Sequence, residues 1–289
     1  MKISLGEKIF SVFNYIFIFL FSMACLYPFL YIVANSFSSN RAVVSGEVFL
    51  WPVEFNVEAY RQLMIEGQIF GSMWNTVVLT IVGTALNMIC TILCSYALSK
   101  KRLDGRGIVM GMIVFTMMFS GGMIPGFLLI RNLGLMDTYW ALWLSGLQST
   151  YNMVVLRTFF QGIPDSLEEA AQIDGAEDPY ILVRIVLPLS GAALATITLF
   201  YAVGWWNAYF GPMLYISSPE KYTLMVRLRS MLDAARNLTI QNEVGEEIAI
   251  AQETYRAASI IISTVPIICV YPFLQKYFVK GVLIGSIKG

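Results

Sequence analysis

Six stretches of this chain contain no Lys, Arg, Asp or Glu: Ile9–Asn40, Gly67–Ser99, Gly107–Ile130, Thr138–Leu156, Ile185–Pro219 and Ala257–Gln275. Each can hold the ~20 apolar residues that a helix needs to cross the hydrocarbon core of a bilayer. In a water-soluble fold the same stretches would leave very large exposed apolar patches. The pattern predicts an all-α, polytopic membrane protein with six transmembrane helices. They fall at about Phe10–Ala34, Trp74–Leu98, Ile108–Leu129, Tyr139–Phe159, Arg184–Tyr215 and Ala258–Tyr277. Only 13% of the 289 residues are charged, about half the share usual in a soluble domain.

The basic residues set the orientation. Lys2 and Lys8 precede the first span, Lys100, Lys101, Arg102 and Arg106 fill the short second loop, and Lys276, Lys280 and Lys288 close the chain. The third loop offers only Arg131. Positive-inside bias puts both termini in the cytosol, and with them the segment around residues 160–188. The first apolar run is too long for a cleavable signal and lacks a small-x-small site after it, so it is expected to stay as the first helix. Cys25, Cys90, Cys94 and Cys269 lie inside spans and are expected to pack as free thiols.

Several chemistries lack their residues. The chain has no histidine, which removes Ser-His-Asp and Cys-His arrangements, and no metal site is expected. No G-x-x-x-x-G-K-[ST] loop is present, so the chain is not expected to cradle ATP itself or to be an enzyme. No carboxylate or lysine sits in mid-span to carry a proton or sodium relay. Nineteen basic residues balance nineteen acidic ones, which leaves nucleic-acid binding without a basic face.

The longest polar island on the cytosolic side is Ile163–Leu189, with six carboxylates: Asp165, Glu168, Glu169, Asp174, Glu177 and Asp178. It reads as two short helices. Asp165 or Ser166 is expected to cap the first, with Glu168 or Glu169 completing a capping box. Gly175 stands where a left-handed C-terminal residue is wanted. Asp178 is expected to cap the second helix, with Pro179 at its first position. Glu169, Ala170, Ala171, Gly175, Ile185, Leu187 and Pro188 together spell E-A-A-x3-G-x9-I-x-L-P. This resembles the EAA loop of the permease subunits of binding-protein-dependent ABC importers. The tail from Gln275 to Gly289, the stretch Gly121–Pro125 and the stretch Arg131–Leu135 are similar to the branch that takes up carbohydrates, of maltose and complex-oligosaccharide type.

The resemblance covers essentially the whole chain and implies a type I ABC importer permease fold. It implies a permease core at 74–278 containing the coupling loop 160–188. A cytosolic lead, first helix and external segment occupy 1–73, and a cytosolic tail occupies 279–289. It implies a second, homologous permease subunit, two ABC ATPase subunits that bind the ATP, and an extracytoplasmic sugar-binding protein. Glu169, Ala170, Ala171, Asp174, Gly175, Ile185, Leu187 and Pro188 become the residues that couple to the ATPase. The implied function is uptake of a sugar, an oligosaccharide. A permease for a non-sugar solute stays open, because importers of other solutes share the loop; a secondary transporter or channel is the reading from another class.

Polar and small residues inside spans mark helix contacts, since lipid offers them no partner. Gly83, Asn87 and Ser95 in the second span are of this kind. Gly121, Gly122, Pro125 and Gly126 should bend or break the third. In the fifth, Trp205, Trp206, Asn207 and Tyr209 are candidates to line a sugar path, since aromatic faces pack on pyranose rings and an amide pairs with hydroxyls. The other reading of the same residues is an interfacial aromatic belt, with Asn207 as an interhelical tie. Amphipathic helices are expected outside the membrane at Val57–Met64 and Leu224–Ala235.

Overall fold

A computed structural model describes residues 5–66, 69–241 and 253–269. Among these residues there is no strand. The helices are α1 (Leu5–Ser36), α2 (Asn40–Val44), α3 (Glu58–Glu66), α4 (Ile69–Ser99), α5 (Arg106–Met118), α6 (Met123–Asn132), α7 (Tyr139–Ser145), α8 (Thr150–Gln161) and α9 (Asp165–Ile173). They continue with α10 (Asp178–Ile181), a π-helical turn (Leu182–Val186), α11 (Leu187–Leu189), α12 (Gly191–Trp206), α13 (Phe210–Tyr215) and α14 (Leu224–Gln241). Residues 253–269 form α15. By internal contacts the chain divides into residues 1–70 with 227–266, and residues 71–226 with 267–289.

In the first unit, α1 exposes Phe10, Phe13, Phe17, Phe21 and Phe29 along its length, as a helix surrounded by lipid does. The segment after it is held by side-chain bonds. Ser38 Oγ donates to Ala34 O and accepts from Val53 N–H, and Tyr60 donates to Ser36 Oγ. Phe37 stacks between Phe55 and Tyr60. The amphipathic helix expected at Val57–Met64 is α3.

In the second unit, α4 is inside out by the standard of a soluble protein. Its buried face carries Ser72, Thr76, Leu79, Thr84, Asn87, Thr91 and Ser95, while Trp74, Ile81, Ile89 and Leu93 are exposed. Hydrocarbon tails are as apolar as leucine, so burial between helices selects small and hydrogen-bonding residues instead. Asn87 and Ser95 do make interhelical bonds, Ser95 Oγ donating to Met153 O at 2.9 Å.

Among the described residues two uninterrupted helices are long and apolar enough to cross a membrane, Gly6–Ser36 and Ile69–Ser99. Two further pairs qualify only as bent spans: α5 with α6, at 111°, and Asp178–Leu189 with α12, at 87°. The break expected in the third span falls at 119–122: α5 ends at Met118 with Phe119 as its C-cap, and Gly122, at φ +85°, is the N-cap of α6. The fourth span, expected as one helix over Tyr139–Phe159, is instead α7 and α8 with residues 146–149 unwound between them. The fifth, expected as one helix over Arg184–Tyr215, is interrupted at Ser190 and again at 207–209. The sixth is described only to residue 269, and the tail lies outside the described residues.

Candidate functional site

The polar island folds as the two short helices that its residues predict, but their caps differ. Pro164, not Asp165 or Ser166, is the N-cap of α9, and no side chain caps it. Glu177, not Asp178, precedes α10, which puts Pro179 at the second helical position. The carboxylates that would have capped are spent on ion pairs. Lys100 Nζ pairs with Glu168, Lys101 Nζ with Asp165 at 3.1 Å, and Arg102 with Asp178. Lys100 Nζ also lies 4.1 Å from the centre of the Tyr96 ring. In the sequence, the signal for this contact is the opposite charge of the turn after α4 and of the segment 165–178.

The helix ends as expected. Gly175 has φ +83°. Its N–H bonds Gln172 O at 3.0 Å, and the Ala176 N–H bonds Ala171 O at 2.9 Å. This is the paired closure in which a left-handed residue satisfies two terminal carbonyls. The second helix then passes through the π turn, where Leu187 N–H reaches back to Leu182 O. Pro188 supplies no N–H for the next bond, and one wider turn absorbs the mismatch.

The eight proposed coupling residues therefore divide by direction. Ala171, Ile185 and Leu187 pack against a cluster of Tyr96, Leu156, Phe160, Ile181, Leu182 and Val186. Glu169, Ala170, Asp174, Gly175 and Pro188 are exposed. Ile173, 86% exposed, stands beside them. Of the six carboxylates, three face the Lys100–Arg102 turn. Glu169, Asp174 and Glu177 make no ion pair among the described residues. The outer surface is thus acidic and apolar, on a helix held from behind by cations.

At the other proposed site the four residues differ in their surroundings. Trp205 is half-buried and its indole N–H donates to Asn87 Oδ1 at 2.5 Å. Asn87, 1% exposed, donates from Nδ2 to Gly146 O and Leu147 O at 2.6 and 2.7 Å. One amide thus satisfies two carbonyls freed by the break between α7 and α8. Tyr201 completes the break: its hydroxyl lies 2.7 Å from Thr91 Oγ1 and accepts from Ser149 N–H at 3.2 Å. The indole of Trp205 rests on Gly83 and Gly146, where a Cβ would meet ring atoms at 2.6 and 2.9 Å. Asn207 is exposed and, among the described residues, its Nδ2 donates to Val203 O of the preceding helix, whereas Asn87 ties separate elements together. Trp206 and Tyr209 are half-buried.

A third constellation joins the loop before α7 to the segment after α13. Asp137, itself at φ +58°, accepts from Lys221 Nζ at 2.7 Å, from the Ser217 and Ser218 amides at 2.9 Å, and from Ser218 Oγ at 2.6 Å. Lys221 first, then the Ser218 donors, hold its carboxyl well below the usual range. Asn75 Nδ2 donates to Glu220 O and Tyr222 O in the same segment.

The profile of the family described as binding-protein-dependent transport system inner membrane component matches residues 4–284. The chain is 42% identical over 284 residues to the polygalacturonan/rhamnogalacturonan transport system permease protein YtcP of Bacillus subtilis, covering 98% of this chain and 99% of that one. It is 40% identical to protein LplC of the same organism, over 98% of this chain and 96% of that one. Among solved structures, a chain of a bacterial ABC transporter involved in the import of the acidic polysaccharide alginate superposes with a TM-score of 0.82. It is 36% identical, over 96% of this chain and 99% of that one.

Proposed function

This chain belongs to the family of binding-protein-dependent transport system inner membrane components, and from that premise we propose that it is the permease subunit of an ATP-driven importer of oligosaccharides, those of acidic polysaccharides in particular. Membership sets it among multi-pass membrane subunits of ABC importers, which have no ATPase site of their own. The substrate class is carried by one observation: of the relatives that align over nearly the whole chain, one is named for polygalacturonan/rhamnogalacturonan transport and another belongs to a transporter of the acidic polysaccharide alginate.

In this reading a second, similar permease pairs with this chain, two ATPase subunits sit on its cytosolic side, and a binding protein delivers the sugar outside. ATP binds the partner, and this chain holds no cofactor or metal. Both termini face the cytosol, as the lysines and arginines of the loops support. Helix α9 enters a groove of the ATPase, presenting Glu169, Ala170, Asp174 and Gly175. Ala171, Ile185 and Leu187 anchor it to the bundle, and Pro188 lies at the step into the membrane. Closure of the ATPase pair around ATP moves α9 as a rigid body and biases the spans toward the outward-open state. Trp206, Asn207 and Tyr209 remain the candidate sugar contacts, while Trp205 serves the bundle as a wedge. The break in the fourth span suits a moving element, because irregular backbone at membrane depth persists where protein or a water-filled path satisfies it.

The test is to purify the tagged chain gently from its native membrane and identify what accompanies it. The complex is then reconstituted in vesicles with its binding protein and oligogalacturonides. A second permease, a P-loop ATPase and ATP-dependent uptake are expected. Isolation alone, under conditions that preserve known importers, refutes the assembly; uptake of unrelated solutes only refutes the substrate class.

A further inference from the structure

The three cations that follow α4 are consecutive, yet each reaches a different carboxylate of the coupling loop. Asp165 and Glu168 are the first and fourth residues of α9, and Asp178 is the first of α10. One turn therefore grips both helices of the loop. The three pairs are unequal. The side chains of Lys101 and Asp165 are 81% and 72% exposed, and those of Arg102 and Asp178 about half exposed. Water screens such pairs, and they contribute little. Lys100 and Glu168 are 15% and 14% exposed, both carboxylate oxygens face the ammonium, and the Tyr96 ring covers the lysine. A pair so enclosed cannot lose one partner without stranding the other's charge.

The placement gives this pair a mechanical role. Helix α9 is tied to α8 by the chain itself, through Gly162, Ile163 and Pro164. Its tie to α4 is not covalent: it runs through this pair and the apolar cluster that contains Tyr96 and Phe160. We propose that Lys100 and Glu168 form a strut that carries the motion of the coupling helix into α4, so that the second span moves with the fourth when the ATPase closes. Both are positioning residues, and neither needs to touch ATP or sugar. The inference rests on the proposed coupling role of α9. It extends the coupling machinery to the loop between the second and third spans. The two exposed pairs are dispensable in it.

The experiment uses the whole importer in proteoliposomes and reads sugar taken up per ATP hydrolysed, beside the amount of ATPase that copurifies. Lys100→Met and Glu168→Gln are each expected to lower uptake per ATP by about fivefold or more, while hydrolysis continues. The double variant should be no worse than either single. Lys100→Arg should stay within about twofold of wild type, since it keeps the charge. The exchanged pair, Lys100→Glu with Glu168→Lys, should recover part of the loss, and Lys101→Met should change nothing. An assembled Lys100→Met importer with wild-type uptake per ATP overturns the strut. So does failure of Lys100→Met and the exchanged pair alike to assemble, which would make the pair a folding contact. A wild-type importer without ATP-driven uptake refutes the proposed function instead, before any variant is compared.

Discussion

Replacing Asn87 by leucine tests how a broken helix is tolerated inside a membrane protein. The two side chains are similar in size, so the substitution removes hydrogen bonds with little change in volume. Three bonds are lost: two from Nδ2 to Gly146 O and Leu147 O, and one accepted from the Trp205 indole. Interhelical bonds in membrane proteins average about 0.6 kcal/mol each, which sets a lower figure of about 2 kcal/mol for the three. If the indole N–H and one carbonyl are stranded without water, at about 1–3 kcal/mol each, the loss approaches 5 kcal/mol. For a chain of this size, about 2–4 °C per kcal/mol converts this to a fall in Tm of about 4–20 °C. The assay is thermal unfolding of the detergent-purified complex, followed by loss of the monodisperse peak. Trp205→Phe removes one of the three bonds and keeps most of the ring, so its fall should be the smaller. A Tm within about 1 °C of wild type for Asn87→Leu, or the reverse order of the two variants, refutes the reasoning.

Gly83→Ala places a Cβ 2.6 Å from the Trp205 indole; by overpacking it should destabilise the complex by about 1–3 kcal/mol, read by the same melting assay, and Trp205→Leu should relieve it. Gly175→Val costs about 1–2 kcal/mol in backbone strain at φ +83°, with no atom within 4 Å of the new Cβ; the importer should assemble and hydrolyse ATP but lose uptake, measured in vesicles. Glu169→Lys should uncouple in the same assay, since its carboxylate is exposed and makes no ion pair among the described residues. The Asp137 carboxyl is depressed below 3.8 by Lys221 and Ser218, so its contribution is whole above that value and is lost as pH falls through the depressed one. The Tm difference between wild type and Asp137→Asn should be constant above about pH 4.5 and shrink below it; a difference that grows on acidification contradicts the contact.

Some features were legible because their cause is local. A stretch without charge finds its own way into the bilayer, so the apolar runs that became α1 and α4 could be read directly. Gly122 and Gly175 can take the positive φ that their turns require, +85° and +83°, whatever surrounds them. The spaced EAA pattern was legible as a family resemblance for a similar reason, because each position answers to a nearby backbone or surface demand.

Other features depended on residues distant in the chain. The break in the fourth span has a single glycine and no proline to announce it. It stands because Asn87, 59 and 60 residues earlier, meets its carbonyls, and because Tyr201 bonds Ser149 from 52 residues later. Nothing near Trp205 in the chain foretold that its indole would rest on Gly83 and Gly146. The expected caps are absent, and Asp165, Glu168 and Asp178 turn instead to Lys101, Lys100 and Arg102, residues more than 60 positions earlier in the chain. By itself the sequence determined where the chain is apolar, where its backbone must turn and which family it resembles, since hydropathy, glycine and motif spacing act over a few residues. Only the tertiary structure decided which polar groups meet, because a hydrogen bond or ion pair is made by proximity in space, and packing brings together residues the chain keeps far apart.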